Sequence, residues 1–362
     1  MRGLAATGGL SGGAGPCAPA LSPAALAPWS GMRYTGPMNV EFHYYAIHAL
    51  ALEAGFGDAD AAVLASASQY VDASTTPLAF DAPRGAVRMA VTQNYVFWDE
   101  SIRRDVYLPF HFLPGDAGES SARRADGTRN AYAVTPNGET ARELLVAALK
   151  ERDLYLIGIA LHSFADTWAH QNFSGLLEEW NDLDSRSGAF GLPPAGHLQA
   201  MTSPDDPARV WEDPRLVPGS RRVVNRERFM AAAKKIFRYL RVYLRRPFDD
   251  EDLVLEGLAS IWSSPSAEER VADCTIKWGT PPWDPGAWRT EAGAPPDRSP
   301  LAGIRHYDKL AWAKSELSRG LSREEAPIRV DSSFYASSLY HWHEAAMEHR
   351  SRAQSMLERR GL

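Results

Sequence analysis

The 362-residue sequence predicts an all-α protein, a multi-helix bundle with long irregular loops. From Glu41 onward, apolar residues recur at the three- and four-residue spacing of a helix face. No stretch alternates apolar and polar residues as a half-buried strand does, and no internal repeat is present. Pro- and Gly-rich stretches separate the periodic segments, as connecting loops do.

Residues 1–37 are dominated by Gly, Ala and Pro, without an unbroken apolar core of signal-peptide length. They are expected to be a disordered or misassigned leader, with the fold beginning at Met38. The expected location is cytoplasmic rather than secreted. A single all-α domain is expected over 38–362, with a metal-site core over 41–205 and a helical extension over 223–362.

A first helix is predicted over 43–55, with Gly55 as its C-terminal cap. Asp58 caps a second, over 59–71. Residues 73–85 read as loop. Pro109 and Pro114 bracket His111 in what reads as a rigid, non-helical segment. A polar loop is expected over 115–131, then helices over 135–152 and 153–173. Residues 184–222 and 276–300 read as irregular. Further helices are expected over 225–245, 249–262, 303–318 and 333–358.

The helix over 153–173 carries the strongest functional signal. His162, Asp166 and His170 are four residues apart, so successive side chains fall about 40° apart and form one stripe. Leu156, Ile157, Ile159, Ala160, Leu161, Phe164, Ala165 and Trp168 make the rest of the helix apolar. Two imidazoles and a carboxylate on a buried helix need partners. A divalent metal supplies one for all three; a hydrogen-bonded His/Asp ladder fixing a helix crossing is the other reading.

Other candidates lie outside this helix. His43 opens the first helix, either as a ligand or as a polar residue in an aromatic collar. Glu41 is a carboxylate ligand or a helix N-terminal charge favoured by the dipole. Asp72, at the end of the second helix, opposes that helix's dipole, which points to a functional role. His111 between its prolines and His197 beside Gly196 are loop ligand candidates. Asp205 and Asp206 are turn residues or ligands. His48 and His306 read as structural. His341, His343 and His349 either pack or touch substrate at the site rim. Tyr44, Tyr70, Phe110, Phe112 and Trp168 are candidates for an apolar substrate-binding wall.

Bulk properties narrow the chemistry. The net charge of −6, without a basic run, argues against a stable nucleic-acid complex. The only cysteines, Cys17 and Cys274, build neither a disulfide framework nor a cysteine zinc site. Any metal must rest on His and carboxylates. No run approaches the ~18 apolar residues of a membrane span.

This ligand set resembles that of the zinc-dependent phospholipase C and S1/P1 nuclease superfamily, and looks closest to a bacterial branch of it. The resemblance covers roughly residues 41–205. It is carried by His162, Asp166 and His170 in the family's His-x-x-x-Asp helix with a following His, and by the phrase His170-Gln171-Asn172-Phe173-Ser174. It implies an all-α bundle of that type holding two or three Zn²⁺ ions. Asp72, His111, His162 and Asp166 would hold the central zinc, and His43 a second that shares Asp166. His170 and His197 would hold a third.

Three departures stand out. No Trp closely precedes His43 to act as the N-terminal ligand, which leaves Glu41 or water. The Asp72–His111 interval is long. Met201 stands where the third site has a carboxylate, with Asp205 the nearest substitute. The resemblance implies a zinc-dependent phosphoesterase in which Asp72 also accepts a proton from water, with a phospholipid-like substrate favoured. The alternatives are a non-catalytic helical scaffold with a structural metal or buried His/Asp network, and a single-strand nuclease.

Overall fold

The computed structural model describes residues 39–75, 77–94, 96–183, 192–294 and 326–362, all within one compact unit. The leader 1–37, Met38, His306 and the helix expected over 303–318 lie outside the described residues. The chain is mostly helical, with two small sheets. No described helix is long and apolar enough to cross a membrane.

A π-helical turn, Glu41–Ala46, leads into α1 (Ile47–Ala54), which ends on Gly55 in the left-handed conformation expected of a C-terminal cap. The long helices that follow are α2 (Asp58–Ala73), α5 (Glu139–Glu151), α6 (Leu154–Ala169), α7 (Asn225–Tyr243), α8 (Glu251–Ile261) and α9 (Ala267–Trp278), with α11 (Ser338–Arg359) last. Short helices α3 (Glu100–Ile102), α4 (Ala117–Arg123) and α10 (Ala287–Glu291) lie between them.

The mostly helical architecture agrees with the all-α expectation, to which small sheets are added among the described residues. Strand β1 (Ala79–Ala82) pairs antiparallel with β2 (Gly85–Arg88) and parallel with β5 (Ile328–Arg329). Strands β3 (Val210–Glu212) and β4 (Arg222–Val224) form an antiparallel pair. Strands of two to four residues are too short to print an alternating pattern. The loop expected over 115–131 contains α4, whose N-terminus is capped by Asp116. Residues 267–278 and 287–291 are helical, although the last three residues of α9 and all of α10 fall in a stretch expected to be irregular.

Helix α6 is the axis of the fold, packed against α2, α5, α7 and α11. Asp153 caps it by accepting from the N–H groups of Tyr155 and Leu156. Every residue from Leu156 to Ala169 is buried, as expected of a helix that is apolar on nearly all sides. Gly158 permits close approach to α2: a Cβ there would lie 2.6 Å from the carbonyl oxygen of Leu64 and from the Cβ of Ala67. That contact sets the end of α2, with Asp72, beside His162 one turn further along α6.

The segment carrying His111 is also helical, which corrects the expectation of a rigid, non-helical one. Arg103–His111 forms a π-helix with Pro109 inside it. Proline lacks an N–H and crowds the carbonyl four residues back, so an α-helix breaks there. The wider π turn accommodates it, as in the N–H of Phe112 bonding five residues back to Tyr107.

Candidate metal centre

The structure brings Asp72, His111 and His162 together, with Asp166 against the same two histidines. Nδ1 of His111 lies 3.2 Å from Nε2 of His162 and 3.2 Å from Oδ2 of Asp166. Nε2 of His162 is 3.3 Å from the same oxygen. Oδ1 of Asp72 is 3.9 Å from the His111 nitrogen and 3.8 Å from that of His162. Around an ion with bonds of ~2.0–2.1 Å, ideal tetrahedral edges are about 3.3–3.4 Å. The separations bracket that value.

Two further groups adjoin this one. Nε2 of His43 lies 3.0 Å from Oδ1 of Asp166, and its ring stacks on His162 at 3.9 Å. Nε2 of His170 lies 3.2 Å from Oδ1 of Asp205, and Nε2 of His197 lies 3.6 Å from Oδ2. In each group a donor set of His and carboxylate is placed to hold a metal ion.

Hydrogen bonds facing away from the cluster support the same reading. His111 donates through Nε2 to the carbonyl of Thr92 at 2.8 Å. His170 donates through Nδ1 to the carbonyl of His111 at 2.7 Å, and His197 through Nδ1 to that of Met201 at 3.0 Å. A carbonyl only accepts, so the outward nitrogen carries a proton, and the inward nitrogen is the one that can offer a lone pair to an ion. Fixing a ring this way is the usual outer-shell support of a metal-ligating histidine. At His111 that lone pair faces another imidazole nitrogen and a carboxylate oxygen, an arrangement only a proton or a cation satisfies. Nδ1 of His43 and Nδ1 of His162 are buried without a hydrogen-bond partner among the described residues.

Without an ion, electrostatics divides the two aspartates. Burial pushes Asp72 well above the usual carboxylate range, offset in part by His111. Burial also opposes ionisation of Asp166, but His170, His162 and His43 outweigh it and hold that carboxyl well below its usual value. Burial and His43 lower His162 to about 3. His170 is raised to about 9, since Asp166 and Asp205 outweigh its burial.

Glu41 lies elsewhere. Its carboxylate is gripped by both Nε and Nη2 of Arg270 on α9, and the same guanidinium reaches Asp206 at 3.3 Å. Glu41 therefore anchors the turn that carries His43 instead of joining the ligands. Of the two aspartates in the 205–206 pair, Asp205 faces the histidines and Asp206 the arginine.

A cleft opens onto His111, His170 and His197, walled by Phe97, Tyr107, Phe112 and Leu198 with the amide of Gln93. Phe112 stacks on His170 at 4.7 Å. Gly196 allows the His197 loop to settle on Phe112: its φ is +52°, and a Cβ would lie 2.7 Å from the ring. The other aromatic residues expected to form the wall are core residues. Tyr44 packs on Trp283, Tyr70 on Trp288 and Trp342, Phe110 on His349 and Trp168 on Phe164. Thr92 and Gln93 carried no sequence signal, since a loop carbonyl and a lone amide follow no periodicity.

These features define a helical protein with a buried His/Asp centre suited to a metal ion. The chain belongs to a family of unknown function, DUF6765, whose model matches residues 38–357. No curated protein and no solved structure matches it.

Proposed function

We propose that the protein is a zinc-dependent phosphoesterase, with the superfamily type described above. The observation that carries the reading is that one nitrogen each of His111 and His162 lies within 3.9 Å of both the Asp72 and the Asp166 carboxylates, beside a cleft that reaches His111. Only His and carboxylates supply the donors, which suits zinc or a similar divalent ion.

His111, His162, Asp72 and Asp166 would hold the central ion, His43 would meet a second across Asp166, and His170, His197 and Asp205 would hold a third. A divalent ion supplies Lewis-acid activation of water and neutralises charge on a phosphoryl oxygen. Gln69 donates to the outer oxygen of Asp72 at 3.4 Å. Asp72 would also be the carboxylate that takes a proton from the attacking water.

Phe97, Tyr107, Phe112 and Leu198 would offer apolar surface to a substrate at the mouth of the cleft, and no Lys or Arg lines it among the described residues. That lining favours a phospholipid-like diester over a polyanionic strand. The test is hydrolysis of a chromogenic phosphocholine diester and of single-stranded DNA by zinc-loaded protein, beside Asp72→Asn. Turnover of the phosphocholine ester that falls 100-fold or more in the variant is expected. Zinc-loaded protein inert on both substrates would sink the enzyme reading and leave a structural metal.

A further inference from the structure

The carbonyl of Pro109 lies in the last turn of the π-helix that ends at His111. Continuing the π ladder would give it the N–H of residue 114, which is proline and has none. The shorter replacement bond comes from α11, beside a longer one from the Ser163 hydroxyl on α6 at 3.4 Å. Nε2 of His349 lies 3.0 Å from the Pro109 carbonyl oxygen, so that nitrogen carries the proton. The imidazole is 1% exposed, stacks on Phe110 at 5.4 Å and lies 3.2 Å from the hydroxyl of Ser163 on α6.

Two more bonds join α11 to the backbone around the ligands. The indole N–H of Trp342 donates to the carbonyl of Ala67 at 3.0 Å, on the helix that ends with Asp72. The N–H of Ala90 donates to Nδ1 of His343 at 3.0 Å, two residues before Thr92, whose carbonyl fixes the His111 ring. Helix α11 is thus tied to α2, to the 90–92 segment and to the π-helix.

We infer that α11 is a brace that sets His111 against Asp72, and that His349 is its positioning residue, acting through the Pro109 carbonyl. This rests on the reading of the Asp72/His111/His162/Asp166 group as a metal site. Losing the His349 donor leaves Pro109 with only the longer Ser163 bond and loosens the end of the π-helix, so His111 must be reordered each time an ion binds. Outer-shell partners of this kind change metal affinity by ~10–100-fold.

The test uses the full chain, stripped of metal, with Zn²⁺ affinity from chelator competition and the visible spectrum of bound Co²⁺. His349→Leu is expected to weaken the tightest ion about tenfold and to alter the Co²⁺ bands. His349→Gln, whose amide donor falls at the Nε2 position, is expected to recover most of both. If His349→Leu does not fold, His349→Asn replaces it, since its shorter amide falls at the Nδ1 position and misses Pro109. Wild-type affinity and spectrum in the Leu or Asn variant overturn the inference while leaving the metal site standing. Equal losses in the Gln variant also overturn it, because packing rather than the donor would then matter. A wild-type chain that binds neither ion overturns the metal reading itself, and the brace with it.

Discussion

Nε2 of His43 lies 3.0 Å from Oδ1 of Asp166, while Oδ2 of the same carboxylate faces His111 and His162. One side chain therefore joins two candidate metal groups. Asp166→Asn keeps the shape but removes the charge. It is expected to leave the helical content unchanged by circular dichroism and to lower zinc affinity 100-fold or more, on the order of 2.7 kcal/mol. A variant that keeps its zinc would contradict the bridging role.

The buried pair between Glu41 and Arg270 makes a separate claim. Side-chain exposures of 12% and 3% leave little water to screen either charge. Arg270→Met strands the Glu41 carboxylate and is expected to destabilise the fold by ~3–5 kcal/mol. Adding Glu41→Leu should recover much of that loss, as read from denaturant unfolding of the single and double variants. A single variant as stable as wild type would show that the pair does not hold the turn carrying His43.

Gly196→Ala probes the third group. Its left-handed backbone disfavours a Cβ by about 1–2 kcal/mol. The Cβ would also meet the Phe112 ring at 2.7 Å. Displacing His197 should lower the number of zinc ions bound per chain while sparing the central one. Unchanged stoichiometry and affinity would mean that the His197 loop contributes no ligand.

For the metal-free protein, pH acts in two directions. His170 is raised from 6.5 to about 9 in the fold, with Asp166 and Asp205 outweighing its burial. The native state then holds a proton the unfolded chain releases, so this stability is complete below pH 6.5 and is lost as pH rises through about 9. His162 and His349 are lowered by burial to about 3 and about 4, so their contribution is lost as pH falls below 6.5. Thermal melts in chelator should show wild type weakening above pH 6.5 and His170→Asn weakening less. Parallel curves would contradict the assigned charge on His170.

The helices and most of the candidate ligands were legible because burial and polarity conflict in them. An apolar helix carrying His162, Asp166 and His170 announces its partners, and a carboxylate at the end of α2 works against its own dipole. Long-range pairing was not legible: nothing local links Glu41 to Arg270, 229 positions away. The π-helix around His111 was hidden because Pro109 signals a break in the commoner helix. Aromatic composition did not separate Phe112, in the cleft, from Tyr44, Tyr70, Phe110 and Trp168, in the core.

The most direct test of the metal centre is elemental analysis by mass spectrometry of protein purified without added metal, paired with a thermal melt in chelator. The expected result is at least one zinc per chain, with a fall in Tm when the chelator removes it. Less than one bound metal per chain, with Tm unchanged by chelator, would contradict a metal centre at Asp72, His111, His162 and Asp166.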